Sequence, residues 1–207
     1  MDYKILFNRT LISLIFVFCY SLISFYNFQY IFYLILLIYF FILVELYLYF
    51  KKYKILIMLY ILLSFVSFLY VDLNDSNFIK FNLMIITVIS FDSFSYLFGK
   101  LYGKNKLMIT ISPNKTIEGL IGGIIFSFIF SVIYLIFFKI NITIFNFIFI
   151  ILLIASSFCG DILESIFKRI NKLKNSSNFL FSHGGFFDRF DSFVLCIIVY
   201  SFFNRFV

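Results

Sequence analysis

Apolar residues run along this chain in blocks of about twenty, the length a helix needs to cross the hydrocarbon layer of a bilayer. Seven blocks can be marked, over residues 10–26, 28–50, 55–71, 78–98, 119–138, 142–163 and 191–207. Each is predicted to be a transmembrane helix. The first lacks a small-residue cleavage site and is followed at once by the second, so it is expected to be a retained span. The polar segments between blocks are short except at 99–118 and 164–190. Long polar loops in so economical a chain are where chemistry is expected. The predicted class is therefore an all-α integral membrane protein of about seven helices with two functional loops. It forms a single polytopic domain over 1–207, in which 1–80 supplies N-terminal spans and 81–207 the catalytic part.

Composition agrees with that pattern. Hydrophobic residues make up 63% of the chain and charged residues 13%, against typical soluble values of roughly 45–50% and roughly 25%. That excludes a cytosolic globular domain, a disordered chain and a secreted disulfide scaffold. Cys19, Cys159 and Cys196 lie in separate apolar blocks with no CxxC pair, and read as small packing residues. The many phenylalanines and tyrosines, with no tryptophan, reflect compositional bias, and tyrosine is the candidate for the interfacial belt.

Charge placement tests the topology. Numbering the loops alternately, every Lys and Arg except Lys80, Lys139 and Arg205 falls on one side. The positive-inside rule assigns that side, with the N-terminus and both long loops, to the cytoplasm, the expected location being the inner membrane. The net charge of +7 then belongs to a surface that meets anionic head groups, each nearby Lys or Arg contributing roughly 1 kcal/mol. The charges are scattered over four loops, which argues against a nucleic-acid partner.

The acids are placed less evenly still. Asp2, Asp72 and Asp75 occupy terminal or loop positions, and Glu45 lies inside a span near its cytoplasmic end, where a structural role is preferred to a catalytic one. The other six, Asp92, Glu118, Asp161, Glu164, Asp188 and Asp191, fall in or beside the two long loops. Carboxylates at such depth are costly and usually face a cavity, a cation or a partner. Asp161, Glu164, Ser165 and Lys168 share one helix face at i, i+3, i+4, i+7, and Asp188, Asp191 and Ser192 repeat the i, i+3, i+4 spacing. Two such clusters on facing helix ends would make an oxygen-rich site suited to Mg²⁺. Between them lie Lys168, Arg169, Lys172, Lys174, His183 and the pair Gly184–Gly185, and cations beside an acidic metal site suit phosphate recognition. The plainer alternative is a loop made basic by topology, its acids pairing with its lysines.

In the first loop, Asp92, Ser95, Tyr96 and Gly99 share a helix face. Pro113 marks a turn, and Thr116 is placed to cap a helix that carries Glu118 in its first turn. A turn with helix capping accounts for Pro113, Thr116 and Glu118 but leaves Asp92 unexplained.

The run at 165–192, with Ser165, Lys168, Arg169, Lys174, His183, Gly184, Gly185, Asp188, Arg189 and Asp191 in register, resembles the signature of the CDP-diacylglycerol synthases, or phosphatidate cytidylyltransferases. Gly160–Asp161 and Glu164–Ser165 resemble the entry into that motif. The first loop is similar too, through Asp92, Tyr96, Gly99, Gly103, Ser112, Pro113, Lys115, Thr116, Glu118, Gly119, Gly122 and Gly123. The likeness covers roughly residues 90–195; Asn175, Ser177 and Phe181 depart from the usual Asp, Gly and Pro, and the N-terminal region is short.

The resemblance implies transfer of CMP from CTP to phosphatidate, giving CDP-diacylglycerol and pyrophosphate in phospholipid biosynthesis. It implies Mg²⁺, with a second cation as an option, held by Asp161, Asp188 and Asp191. Asp161, Asp188 and Lys168 would be catalytic. Substrate would meet Arg169, Lys174, His183, Gly184, Gly185, Arg189, Ser112, Lys115, Thr116 and Asp92. The partners expected are CTP, phosphatidate and membrane lipid, and a homodimer is compatible with the reading. The competing readings are a CTP-dependent polyprenol or lipid-alcohol kinase and a small transporter. The gathering of acids at one surface counts against the transporter.

Overall fold

The computed structural model describes residues 18–24, 26–179 and 184–203. After a helical stretch at 18–24 and a 3-10 turn (Phe28–Tyr30) come six helices. They are α1 (Ile31–Tyr49), α2 (Lys54–Leu69), α3 (Asp75–Tyr102), α4 (Ile117–Phe137), α5 (Ile144–Ile170) and α6 (Phe187–Phe203). Among the described residues four helical segments are long and apolar enough to cross a membrane: Phe28–Tyr49, Asn77–Tyr102, Ile117–Phe137 and Ile144–Ile170. Helix α2 is apolar but shorter, and α6 opens with Asp188, Arg189 and Asp191. The protein is thus an all-α integral membrane fold, and about half of the apolar block at 10–26 lies outside the described residues.

The helices outrun the apolar blocks that predict them. Helix α3 continues to Tyr102 and α5 to Ile170, several residues past the expected ends at 98 and 163. Hydropathy stops where side chains turn polar, whereas the i→i−4 backbone ladder does not. Glu164, Lys168 and Arg169 consequently ride on the last turns of α5, where cations suit the negative end of the helix dipole. The segment 99–118 is more than a loop. It holds an antiparallel ribbon of β1 (Lys106–Met108) and β2 (Ser112–Thr116), with Lys106 opposite Thr116 and Met108 opposite Ser112. Both strands are edges, so Pro113, which lacks an N–H, is tolerated in β2.

Helix α6 packs against α2, α3 and α5, while α3 and α4 lie along each other. At that second crossing Gly119 sits against Ser95 O, where a methyl group would overlap the carbonyl. Ile57 and Ile61 of α2, Val88 of α3, Phe149 and Leu153 of α5, and Cys196 and Tyr200 of α6 are fully buried. Inside a bilayer this packing gains little from the hydrophobic effect, because lipid tails are as apolar as the side chains. Polar pairs assist it: Thr87 and Ser131 hydroxyls are 2.7 Å apart, and Ser64 Oγ donates to Val194 O at 2.6 Å. Such bonds contribute about 0.6 kcal/mol each. The opposite face of α2, with Ile55, Leu59, Leu63 and Val66 at helical spacing, is an exposed apolar stripe.

Three polar connections are drawn to one end of the bundle. Asn171, just past α5, accepts the backbone N–H groups of Lys51 and Lys52 through Oδ1 at 2.9 and 2.7 Å, fixing the α1–α2 turn. Arg169 Nε donates to Ile111 O at 3.0 Å, fixing the tip of the ribbon. The basic turn, the ribbon and the α5–α6 connection therefore share a face.

Candidate active site

Two groups of charged side chains occupy that face. The first lies between the end of α5 and the start of α6. Lys168 Nζ is 2.5 Å from Glu164 Oε2 and 2.7 Å from Asp188 Oδ1, and all three side chains are largely or fully buried. The other oxygen of Asp188 accepts the Ser176 N–H at 2.8 Å, the Gly185 N–H at 2.9 Å and sits 3.0 Å from Ser176 Oγ. Both oxygens of Asp188 are therefore engaged. Gly184 adopts the left-handed region, with φ 80°, and a methyl group there would overlap Asp188 Oδ2. The glycine pair is accounted for by the crowding of backbone against carboxylate.

Glu45 completes this group from α1. It is fully buried and accepts Ser177 Oγ at 2.7 Å and Phe186 N at 2.7 Å on Oε1, with Phe187 N at 3.0 Å and Ser176 Oγ at 3.1 Å on Oε2. The expectation of a structural role for Glu45 is matched by these contacts. What the sequence could not show was its partner, a loop more than a hundred residues away.

The second group lines a cavity of about 260 Å³ between α3, α4, α5 and the ribbon. Asp92, Ser112, Lys115, Thr116 and Asp161, all expected at the site, meet there. Lys115 Nζ is 2.8 Å from Asp161 Oδ2 and 4.9 Å from the centre of the Phe158 ring, so it is held by a carboxylate and an aromatic face together. Thr116 Oγ1 accepts the Gly119 N–H at 3.1 Å, capping α4 as expected. Glu118 accepts the N–H groups of Lys104 and Asn105, each at 3.1 Å, and so clamps the turn after α3 rather than facing the cavity. Phe91, Leu120 and Phe158 add apolar surface to the same lining.

The groups are joined through Asp191. It lies within electrostatic reach of Asp92, Asp161 and Lys168, and Glu164 in turn senses both Asp191 and Asp188. Asp191 Oδ1 accepts its neighbour's Ser192 N–H at 2.7 Å, and Ser192 Oγ approaches Asp92 Oδ1 at 3.4 Å. Five carboxylates, Asp92, Asp161, Asp191, Glu164 and Asp188, thus form an acidic row linked by mutual electrostatic influence and served by two lysines. Carboxylates buried in this excess over lysines are neutralised by protons or by additional cations.

The profile of the Cytidylyltransferase family matches residues 2–207 of this chain. The chain belongs to that family. Among its relatives are proteins named phosphatidate cytidylyltransferase from Staphylococcus saprophyticus and Staphylococcus haemolyticus, each 41% identical over 108 residues. The protein of that name from Staphylococcus aureus is 42% identical over the same length. These alignments cover 51% of this chain and 41% of each relative, so the chain spans less than half the length of the curated relatives it matches.

Set against the residues expected of a cytidylyltransferase, the structure distributes them unequally. It does not assemble Asp161, Asp188 and Asp191 as a trio. Asp161 and Asp191 neighbour Asp92, while the oxygens of Asp188 are engaged by Lys168, Ser176 and Gly185. Among the described residues no group of three or more His, Cys, Asp or Glu is already spaced to hold a metal ion. The donor chemistry nevertheless suits a hard divalent ion, because Asp92 and Asp191 keep acceptor capacity that their serine contacts do not use. Arg169 spends its guanidinium on the carbonyls of Ile111 and Leu173 and acts as a strut. Lys174 and Arg189 are exposed at the same face, and His183 lies outside the described residues. Asn171 carries no sequence signal, being an ordinary polar residue past a helix end.

Proposed function

We propose that this chain transfers CMP from CTP to phosphatidate, giving CDP-diacylglycerol and pyrophosphate, at the cytoplasmic face of the inner membrane. The observation that carries the reading is a cavity lined both by Asp92, Asp161 and Lys115 and by the apolar side chains of Phe91, Leu120 and Phe158. An amphiphile with a phosphate head needs both surfaces at once. Membership of the cytidylyltransferase family and the names of the staphylococcal relatives support the same substrates.

In this reading a phosphate oxygen of the lipid attacks the α-phosphorus of CTP and pyrophosphate leaves. Both reactants are anions, so positioning and charge stabilisation outweigh proton transfer. Lys115 donates to a phosphate oxygen from the cavity wall, exchanging its contact with Asp161 for one with substrate. Phe91, Leu120 and Phe158 hold the first part of the acyl chains and exclude water. Lys174 and Arg189, on the open side, meet the triphosphate as it arrives from the cytosol. Asp92, Asp161 and Asp191 would hold Mg²⁺, which when bound supplies neutralisation of phosphate oxygens. Asp188 and Lys168 keep the ends of α5 and α6 in register beside them.

The orientation follows from the basic residues gathered at the site face, which the positive-inside rule turns to the cytoplasm. Product analysis tests the reading. Purified protein in mixed micelles with labelled CTP, phosphatidate and Mg²⁺ is expected to yield CDP-lipid and pyrophosphate. Formation of a phosphorylated lipid alcohol and CDP instead would replace the transferase by a kinase. Asp161→Asn is expected to lower CMP transfer by at least about a hundredfold with folding intact.

A further inference from the structure

The N-terminal part of the chain was expected to supply spans alone, yet one of its side chains reaches the site face and holds two separated stretches of the α5–α6 connection. Four donors converge on the two oxygens of Glu45: Ser176 Oγ, Ser177 Oγ, Phe186 N and Phe187 N. An ionised carboxylate offers about four lone-pair positions, so this set fills it. Two of the donors precede the loop and two follow it, so the carboxylate fastens the loop at its neck. Ser176 Oγ lies 3.1 Å from Glu45 Oε2 and 3.0 Å from Asp188 Oδ2, and so stands between the two acids. Phe41, one turn earlier on α1, stacks on Phe186 with ring centres 4.7 Å apart, which reinforces the grip.

We infer that Glu45 is a positioning residue for CMP transfer, acting through the loop neck to place Asp188 and Lys168. The inference rests on the cytidylyltransferase reading above. A backbone N–H cannot reorient as a hydroxyl can. Replacing one carboxylate oxygen by an amide nitrogen therefore faces a donor with a donor, at Phe186 or at Phe187. The shape of the side chain is kept and the neck is released.

Glu45→Gln tests this by two readouts. Hydrogen exchange, followed on peptides that include Phe186 and Phe187, is expected to quicken at least tenfold at those amides while the middle of α5 keeps its protection. Turnover of CTP and phosphatidate is expected to fall at least tenfold, with KM for CTP within about threefold. Combined with Asp188→Asn, the loss should stay within about threefold of the worse single variant, because both changes act on one loop. Losses that multiply, or unchanged exchange at Phe186 and Phe187, overturn the inference. Should Glu45→Gln fail to fold, Ser177→Ala removes one donor to Glu45, together with the acceptor of the Phe179 N–H, and is expected to quicken the Phe186 and Phe187 amides at least threefold; no change there would overturn the inference equally. A wild-type protein that makes no CDP-lipid would defeat the proposed reaction, and the exchange measurement would still decide whether Glu45 holds the neck.

Discussion

The two lysines of the acidic row sit in unlike surroundings. Lys168 is locked between Glu164 and Asp188, and Asp188 has further backbone donors behind it. Lys115 has one carboxylate and the face of a phenylalanine, and it borders a cavity. One corner is closed by its own contacts and the other is left short of them. A region whose polar groups already satisfy one another gains little from a ligand, whereas one with spare acceptors and a single cation gains much. The difference separates the scaffold of the site from its reacting part, although both are built from the same residue types.

That contrast can be broken by experiment. Lys168→Met is expected to have the largest effect on folding, since it strands two buried carboxylates without their cation. A loss of about 3–5 kcal/mol, read as a fall in the denaturation midpoint in detergent, is the scale for breaking a buried pair. Lys115→Met should do the opposite: folding within about 1 kcal/mol of wild type, and CMP transfer lower by about 10²–10³, the usual scale for removing one charge-stabilising donor. If Lys115→Met unfolds the protein while Lys168→Met leaves it stable, the assignment of scaffold and reacting part is reversed.

Smaller changes sharpen the same picture. Thr116→Ala removes the cap of α4 and should cost about 1 kcal/mol of stability. Its effect on transfer should exceed what that loss explains, because Thr116 also lines the cavity. Ser131→Ala, in the middle of the bundle, should cost only about 0.6 kcal/mol and leave transfer untouched. A large activity loss there would place part of the site deeper in the membrane than the acidic row.

The apolar blocks were enough to locate every helix in the described residues, because length and hydropathy are local properties. Hydropathy did not mark the helix ends, although the spacing of Asp161, Glu164, Ser165 and Lys168 on one face already carried α5 past residue 163. The ribbon was expected only as a turn at Pro113, whereas Pro113 lies within β2 and the turn falls at residues 109–111. Its strands, Lys106–Met108 and Ser112–Thr116, are too short to show alternation. Asp92, Ser112, Lys115, Thr116 and Asp161 could be nominated from motif and spacing, and they do meet at one cavity. Asp188 shared their motif but not their surroundings. Nothing in residue order tells whether a carboxylate will be claimed by backbone N–H groups, and that depends on how the loop after Asn175 returns to α6. Glu45 gave a hint, as an acid inside an apolar block, without naming what it holds.

Gly185 lies in the same knot, where a single added methyl group would collide with Ser176 Oγ and with both oxygens of Glu45. A side chain there forces the Ser176 hydroxyl and the Glu45 carboxylate to move. Any drift there prises the connection away from the first helices, and the damage would look like a catalytic lesion although this glycine need never meet a substrate. Inherited defects of that kind are easily misfiled: the fault lies in the fastening and the symptom in the chemistry.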